Sequence, residues 1–360
     1  MFTGLRKWTE TVDDLSIRCS ESKTEGGYGV LALDEAERLA TVRGALALRP
    51  DVEDAVDSIS RDGFDNLVYL GIGGTYASGL QAVSHITAFS GLPTEVQNAG
   101  EYIFSGNRRI TNGSVVVISS VTGTTPEVVQ AVSQAKTAGA RVIGFIDDAS
   151  SPLAGMVDVC FSVSGGEQIK FFMVGDRLMH LRGEFEDYEP FYAEMDEHLA
   201  SALLRTEQQA DAFGADFARW HYNDSLHYFV AAGNQFGAVY SYAMCYWEEQ
   251  HWLRSRAIHA AEFFHGMLEI VDRDTNVTIF LGEDEQRPLA QRVADFLPRI
   301  CANYTIVDTK DYPLEGISPR FRGLISHLVM RVITYRMDAH IEALSCHPME
   351  IRRYYRRLDY

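Results

Sequence analysis

The sequence has few cysteines, a shortage of positive charge and no long apolar run, and each shortage excludes a class of protein. Its five cysteines lie far apart, without the paired spacing of a disulfide framework or a zinc site. Lysine and arginine total 32 against 50 aspartates and glutamates. Nucleic acids and anionic membranes bind basic surfaces, so we expect neither as a partner. No run is long enough to span a bilayer and the start lacks a signal-peptide core, which predicts a cytoplasmic protein.

What remains is typical of a globular α/β protein. The chain of 360 residues is 46% hydrophobic and 23% charged, which allows two domains with apolar cores. Short β-branched or aromatic runs alternate with helical patterns, and this alternation predicts parallel sheets covered by helices on both faces. The runs that we interpret as strands are 67–70, 115–118, 142–146, 157–163, 226–230, 277–281 and 304–307.

The strands form two series, separated by a helical region at 188–219, which predicts two similar halves. One strand ends in Gly71-Ile72-Gly73-Gly74-Thr75 and another in Ala231-Ala232-Gly233-Asn234, and this likeness favours a duplication. We predict four parts: an N-terminal helical extension at 1–45, a first α/β domain at 46–185, a second at 186–345 and a C-terminal tail at 346–360.

A turn rich in hydroxyl groups, Ser120-Val121-Thr122-Gly123-Thr124-Thr125-Pro126-Glu127, connects a predicted strand to a predicted helix. Free amide groups and the positive end of a helix suit a phosphate ester there, and the hydroxyls can add hydrogen bonds. The alternative is an ordinary helix start, with Thr125 as the cap and Pro126 in the first turn. Because Gly74 and Thr75 also follow a strand, both turns can meet on one ligand at the carboxyl edge of a sheet.

Neither common nucleotide-binding motif is present. The segment 71–74 does not fit Gly-x-Gly-x-x-Gly, because Tyr76 stands where the third glycine is needed. No Gly-Lys-Ser or Gly-Lys-Thr of a phosphate-binding loop occurs either. We therefore expect no nucleotide cofactor.

These duplicated turns resemble the sugar isomerase (SIS) domain family. The resemblance implies two tandem flavodoxin-like α/β domains that bind a phosphorylated sugar without a nucleotide, and we expect the protein to need no cofactor. Thr122 replaces the serine usual in the family and keeps the hydroxyl. The positions that match the family's phosphate-binding residues are Gly74, Thr75, Ser120, Thr122, Gly123 and Thr125.

The resemblance extends over most of the chain and implies an acid–base pair. Glu249 and His265 match the catalytic pair of the isomerase domain of glucosamine-6-phosphate synthase, and the end of the chain from His347 to Tyr354 resembles the tail of fructosamine-6-phosphate deglycases. The family also implies a homodimer, since its sites are commonly completed across a subunit interface. Further candidates for the site are Glu101, within a segment that resembles the one before the phosphate loop, His259, Glu262 and Arg353.

Two departures argue against the synthase reaction itself. Phe2 stands where a glutaminase domain would need a cysteine, and Tyr246 replaces a lysine three residues before the catalytic glutamate. We therefore predict a deglycase that cleaves a 6-phosphorylated fructosyl- or glucosyl-amine with water to glucose 6-phosphate and a free amine. The alternatives are an aldose–ketose phosphosugar isomerase and a non-catalytic sugar-phosphate regulator.

Each site residue also has a structural interpretation. Glu249 suits a surface ion pair and His265, before Gly266, a helix C-cap. His259, Glu262 and His265 are spaced by three, which would spread them around an α-helix, so we predict no metal there. Lys170 could supply positive charge, although a solvated loop is expected. The tail arginines either fold over the pocket or, as we slightly favour, pair with the acidic surface; they are Arg352, Arg353, Arg356 and Arg357.

Overall fold

The computed structural model describes residues 30–359, so Cys19 and most of the predicted N-terminal extension lie outside the described residues. The first half contains helices α1 to α6 and a five-stranded parallel sheet of order β2-β1-β3-β4-β5. Its strands are β1 Asn66–Gly71, β2 Thr94–Asn98, β3 Ser114–Ser120, β4 Arg141–Ile146 and β5 Val159–Phe161. Its helices are α1 Glu35–Ala47, α2 Arg49–Asp62, α3 Gly74–Phe89, α4 Ala99–Ser105, α5 Pro126–Thr137 and α6 Glu167–Leu181.

The second half repeats this arrangement around a four-stranded parallel sheet of order β7-β6-β8-β9. Its strands are β6 His227–Ala231, β7 Ser255–His259, β8 Asn276–Leu281 and β9 Tyr304–Asp308. Its α-helices are α7 Tyr188–Glu194, α8 Ala200–Gln209, α9 Asp211–His221, α10 Asn234–Ser241, α11 Arg287–Phe296 and α12 Pro319–Ser345. Two π-helical segments are Met195–Leu199 and Tyr242–Glu248, and the 3₁₀-helices are Ala260–His265, Met267–Ile270, Leu297–Arg299 and Thr309–Asp311.

The two predicted parallel sheets flanked by helices are confirmed, and the helical region 188–219 is present as α7 to α9. Each of the seven predicted strands overlaps an observed one, although 157–163 shortens to Val159–Phe161. Two strands were not predicted, β2 and β7. Both are edge strands, and the five residues of β2 are all half-buried. An edge strand is covered less completely than a central strand. It therefore need not have the continuous apolar run by which a central strand is recognised in a sequence.

The predicted domain boundaries stay predictions. Residue 45 falls inside α1, whereas residue 345 is the last residue of α12. No helix in the described part of the chain combines the length and the apolar character needed to cross a membrane.

Both sheets reverse their strand order at the first strand. The chain leaves β1 for β2 on one side and returns to β3 on the other, and β6, β7 and β8 repeat this path. Buried, mostly β-branched residues on both faces of β3 anchor the sheet between its helix layers. At such a reversal the carboxyl ends of adjacent strands border a crevice, and ligands of open α/β sheets bind there.

The two halves touch closely where α3 crosses α10. A Cβ atom placed on Gly237 would lie 2.5 Å from the carbonyl oxygen of Ala77 and 2.7 Å from Gln81 Cγ. The backbones therefore approach to a distance that only glycine allows, which holds the first half in place against the second.

We expect Gly237→Ala to destabilise the protein, because the added methyl group would push these helices apart. Overpacking of this kind costs about 1–3 kcal/mol of the free energy of unfolding. Urea unfolding followed by circular dichroism measures the change, with Gly155→Ala as the control, since a Cβ there would meet its nearest atom at 3.6 Å. Equal stability of the two variants would contradict the close packing.

Candidate functional site

A cavity of about 790 Å³ opens at the carboxyl ends of β1 and β3, a size typical of small-molecule sites. Both turns of the first half reach it, together with the segment after α10 and the C-terminal tail. The lining residues are Ile72, Gly73, Gly74, Thr124, Thr125, Pro126, Glu127, Met244, Cys245, Glu249, Tyr355, Arg356 and Leu358. The cavity therefore lies where the topology predicts a ligand, and its lining residues come from both halves of the chain and from the C-terminal tail.

Two helices begin at this cavity without a side-chain cap. Gly73, at φ +62°, turns the chain into α3, and no side chain accepts a hydrogen bond from its first turn. Thr125 precedes α5, and its hydroxyl caps nothing. The first amide groups of a helix have no partner within the helix, so both positive ends can bind an anion. Of the predicted phosphate-binding residues, Gly74 and Thr125 line the cavity directly.

Ser120, Thr122 and Gly123 lie behind this lining and shape the loop. The Ser120 hydroxyl accepts a hydrogen bond from the Gly123 amide at 3.0 Å, and Thr122 Oγ1 accepts one from the Thr124 hydroxyl at 3.0 Å. Gly123 adopts φ +60°, and a Cβ there would lie 1.9 Å from Ser151 Oγ. These three residues hold Thr124 and Thr125 at the cavity wall, and Thr124 is a lining residue that we had not singled out.

Thr75 is held by a carboxylate from the neighbouring helix. Its hydroxyl donates to Glu167 Oε2 at 3.2 Å, and the Ser78 hydroxyl donates to Oε1 of the same residue at 2.5 Å. Thr75 is half-buried and does not line the cavity itself. Glu167 therefore braces the first turn of α3 from behind.

The prediction that Lys170 lies in a solvated loop is wrong. Helix α6 begins at Glu167, so Lys170 lies in its first turns and is 1% exposed. Its ammonium group donates to the Val163 carbonyl and lies 4.0 Å from Asp147 Oδ1. Burial lowers the pKa of this lysine, which Asp147 partly offsets. Its charge is used inside the first half and does not line the cavity.

The second half fills its own copy of the anion position. Gly233, at φ +60°, turns the chain into α10 as Gly73 does into α3. Here the Asn234 amide donates to Asp284 Oδ2 at 2.8 Å, and the Gly233 amide donates to Gln286 Oε1 at 3.3 Å. Within residues 30–359 the start of α10 is therefore occupied by the protein's own side chains, whereas the starts of α3 and α5 are not capped.

Glu249 brings a carboxylate to the cavity wall. The segment Tyr242–Glu248 is π-helical, and the Glu249 amide donates to the carbonyl of Met244, five residues earlier, at 3.1 Å. This wider turn places Met244, Cys245 and Glu249 along the same cavity. Glu249 also forms an ion pair, as its structural interpretation predicts, because Arg352 Nε donates a hydrogen bond to its Oε1 at 2.8 Å.

Cys245, beside Glu249, is not an activated nucleophile. Burial raises the pKa of its thiol to about 11, so the thiol is protonated near neutral pH. The thiolate is the reactive form of cysteine. The carboxylates among the residues that line the cavity are those of Glu127 and Glu249.

His265 does not share this cavity with Glu249 in one chain. It is exposed at the end of the 3₁₀-helix Ala260–His265 and is absent from the cavity lining. Gly266 has an extended φ of 170°, so the left-handed glycine cap suggested by the sequence does not form. The imidazole is therefore exposed at the surface of the described part of the chain.

The prediction that His259, Glu262 and His265 spread around an α-helix is wrong. Strand β7 runs to His259, whose Nδ1 accepts a hydrogen bond from the Ala261 amide at 3.2 Å, and a 3₁₀-helix follows. Burial lowers the pKa of His259, and Glu262 is exposed. Within residues 30–359 these three do not form a group with metal-ligand spacing.

Another cluster, which was not predicted from the sequence, does have such spacing. His221, Asp224 and His227 bring their ligand atoms within 4.8 Å of one another, and the recurrence of these residues every third position was the available signal. Both histidines place Nδ1 2.8 Å from Asp224 Oδ2, and His227 Nε2 lies 2.8 Å from Thr278 Oγ1. Burial lowers the pKa of His227 to about 4. The cluster lies at the amino end of β6, away from the cavity.

The tail arginines divide between the two predicted roles. Arg352 pairs with Glu249 and Arg356 lines the cavity, so the tail covers the site as well as forming an ion pair there. Arg353 stacks on Trp252 at 4.0 Å and Arg357 is exposed. Glu101 is exposed on α4, where its amide donates to Asn98 Oδ1 at 3.2 Å. Neither Arg353 nor Glu101 lines the cavity.

Comparison with known proteins agrees with this arrangement. The SIS domain family matches residues 64–177. The chain is 30% identical to the fructosamine deglycase FrlB of Bacillus subtilis over 277 aligned residues. This alignment covers 74% of this chain and 84% of that protein. It is 22% identical to the fructoselysine 6-phosphate deglycase of Escherichia coli over 323 aligned residues. That alignment covers 85% of this chain and 90% of that protein.

Solved structures extend the likeness to both halves. The crystal structure of a proposed phosphosugar isomerase from Bacillus subtilis superimposes with a TM-score of 0.80 at 26% identity and covers 90% of this chain and all of that one. The C-terminal domain of a glucosamine-fructose-6-phosphate aminotransferase from Francisella tularensis gives a TM-score of 0.69 at 14% identity, over 86% of this chain and 94% of that one. The latter likeness concerns the fold.

Proposed function

This chain belongs to the SIS family, and from that premise we propose that it is a deglycase for a 6-phosphorylated fructosyl- or glucosyl-amine. The products would be glucose 6-phosphate and a free amine, and the reaction is a hydrolysis. The observation that carries the proposal is a single cavity lined both by two uncapped helix starts and by the Glu249 carboxylate. The names of the relatives, fructosamine deglycase and fructoselysine 6-phosphate deglycase, support the substrate class.

The phosphate would bind at the turns of the first half. The first amide groups of α3 and α5 supply donors, starting at Gly74 and after Thr125, whose hydroxyl adds a hydrogen bond. Thr75 supports the first turn through Glu167. Ser120, Thr122 and Gly123 keep the second turn in shape. This binding leaves the far end of the substrate directed away from α3 and α5.

Glu249 would carry out the proton transfers. It removes the proton from C1 of the ketosamine while O2 is protonated, which yields an enaminol, and it then returns a proton to C2. The Schiff base now at C1 is attacked by water, the C1–N bond breaks, and the amine leaves with a proton. A positioned general base contributes roughly 10²–10⁴-fold to a rate. The carboxylate needs no cofactor for these reaction steps.

His265 would act from a second copy of the chain. Because His265 is exposed and stands outside the cavity of its own chain, we place the imidazole of His265 of the partner subunit at the Glu249 cavity of a homodimer. An imidazole can both donate and accept a proton, so it can protonate the ring oxygen to open the sugar and assist at O2. His259 and Glu262 precede it on the same segment and are secondary candidates. The cytoplasmic location stays a prediction.

The test is direct. The purified protein is incubated with fructosyl-lysine and fructosyl-asparagine 6-phosphates, and glucose 6-phosphate is followed with a coupled dehydrogenase assay. We expect glucose 6-phosphate and the amino acid to appear in equal amounts. The proposal would be contradicted if the protein cleaved neither of these two conjugates nor any member of a wider panel of fructosyl- and glucosyl-amine 6-phosphates.

An isomerase is the second candidate, because the superimposed Bacillus subtilis structure is a proposed phosphosugar isomerase. The same carboxylate could move a proton between C1 and C2 of a free sugar phosphate. Interconversion of fructose 6-phosphate and glucose 6-phosphate without amine release would favour it. Tight sugar-phosphate binding without turnover of any substrate would favour the regulator.

A further inference from the structure

We propose that Arg352 is a positioning residue that holds the Glu249 carboxylate in the orientation required for proton transfer; this inference rests on the proposed function. Arg352 Nε donates to Glu249 Oε1 at 2.8 Å, and the two side chains are 21% and 28% exposed. The other carboxylate oxygen, Oε2, accepts no hydrogen bond from the described residues. Arg352 thus occupies one oxygen and leaves the second for the substrate.

The guanidinium group is itself held in place. Its Nη1 donates to the carbonyl of Met349, and to that of Ile351 at 3.2 Å. These bonds fold the side chain back onto its own segment and leave Nε to face the carboxylate. Because two backbone carbonyls already fix the planar guanidinium group, it loses little further conformational freedom when it binds the carboxylate.

The segment that carries Arg352 is anchored beside Glu249. His347 Nε2 lies 3.0 Å from the carbonyl oxygen of Gln250, the residue after Glu249, and the His347 ring contacts Trp252 with centroids 4.2 Å apart. The Met349 amide donates to Glu342 Oε1 at 2.9 Å on α12. The distance between Arg352 and Glu249 is therefore set by contacts on both sides of the pair, unlike that of an ordinary surface ion pair.

A catalytic base must be oriented toward the substrate as well as be present. A displacement of about 1 Å can lower a rate by roughly 10²-fold, because the reacting atoms must be within hydrogen-bond reach. Glu249 follows a π-helical segment and has no other side-chain partner in the described part of the chain, so Arg352 is the group that can restrict its rotation.

The experiment compares Arg352→Ala, Arg352→Lys and the control Arg357→Ala. Arg357 lies on the same tail, is exposed and does not line the cavity, and its removal changes the net charge equally. With the conjugate 6-phosphate cleaved by the wild type, we expect Arg352→Ala to lower kcat by about 10- to 100-fold and to change KM by less than about twofold. Arg352→Lys should retain more activity than Arg352→Ala, and Arg357→Ala should equal the wild type.

Chemical rescue separates positioning from a merely structural role. Added guanidinium ion at millimolar concentration should raise kcat of Arg352→Ala and leave Arg357→Ala unchanged, because it can occupy the vacated place beside Oε1. The proposal is overturned if Arg352→Ala keeps or exceeds wild-type kcat, if the loss is confined to KM, or if neither lysine nor guanidinium restores activity.

A second measurement does not depend on turnover. Crystal structures of the wild type and Arg352→Ala should show Glu249 at the cavity in one orientation in the former and rotated or in several conformers in the latter. An unchanged Glu249 side chain would overturn the inference. Absence of cleavage by the wild type would instead contradict the proposed function, and the two crystal structures would still decide the role of Arg352.

Discussion

Replacing Glu249 by glutamine is expected to lower kcat by about 10²- to 10⁴-fold, because the amide cannot accept the C1 proton. The substitution preserves the shape of the side chain and leaves α3 and α5 untouched. The proposed phosphate-binding residues Gly74 and Thr125 belong to the starts of these two helices, which the substitution does not alter. Binding of glucose 6-phosphate, measured by calorimetry, should therefore remain close to that of the wild type.

Glu248→Gln is the matched control. Glu248 adjoins Glu249, is exposed and does not line the cavity. The same loss of charge on the same segment should leave kcat unchanged. If Glu249→Gln turned over substrate at the wild-type rate, the assignment of the base would be wrong even if the substrate class were right.

His265→Ala is expected to lower kcat by about 10²-fold or more, and a mixed dimer should recover activity. In a heterodimer of Glu249→Gln and His265→Ala subunits, one of the two sites would pair an intact Glu249 with an intact His265 of the partner subunit. The other site would carry both substitutions. A heterodimer purified through two different tags should thus have about half of the wild-type activity, since a two-fold symmetric dimer has two equivalent sites.

The parent homodimers provide the controls for this experiment, because each lacks one group at both sites. Their activities should be low, and only the heterodimer should recover. A heterodimer as inactive as its parents would show that Glu249 and His265 do not act together across a subunit interface. Size-exclusion chromatography with light scattering would establish the dimer itself.

The central strands were predictable because their signal is local. The buried run of β3, with Val115–Ile118 at its centre, and its counterparts in β4, β6 and β8 are continuous apolar segments. Strands β2 and β7 escaped prediction, since edge strands that are partly exposed need no such run. Lys170 was assigned to a loop because the helix start was not recognised: Gly165 and Gly166 lie directly before α6, which begins at Glu167.

The candidate site was predictable in part. Parallel strands end on the same edge of their sheet, so the turns after β1 and β3 had to be neighbours once both strands were recognised. The occupied start of α10 could not be foreseen, because it depends on Asp284, which follows β8, meeting the amide of Asn234, which follows the neighbouring strand β6. The contact between Arg352 and Glu249 joins residues 103 positions apart.

Contiguous residues were enough to establish the parallel α/β architecture, the duplication and the hydroxyl-rich turns suited to a phosphate. These properties depend on local periodicity and on the types of residue that end a strand or begin a helix. Tertiary packing decided the rest. It determines which helix starts remain uncapped and which arginine pairs with Glu249. It also separates His265 from the cavity that Glu249 lines within one chain. Such contacts join segments distant along the chain, so their distances and charges exist only once the two halves and the tail have folded together.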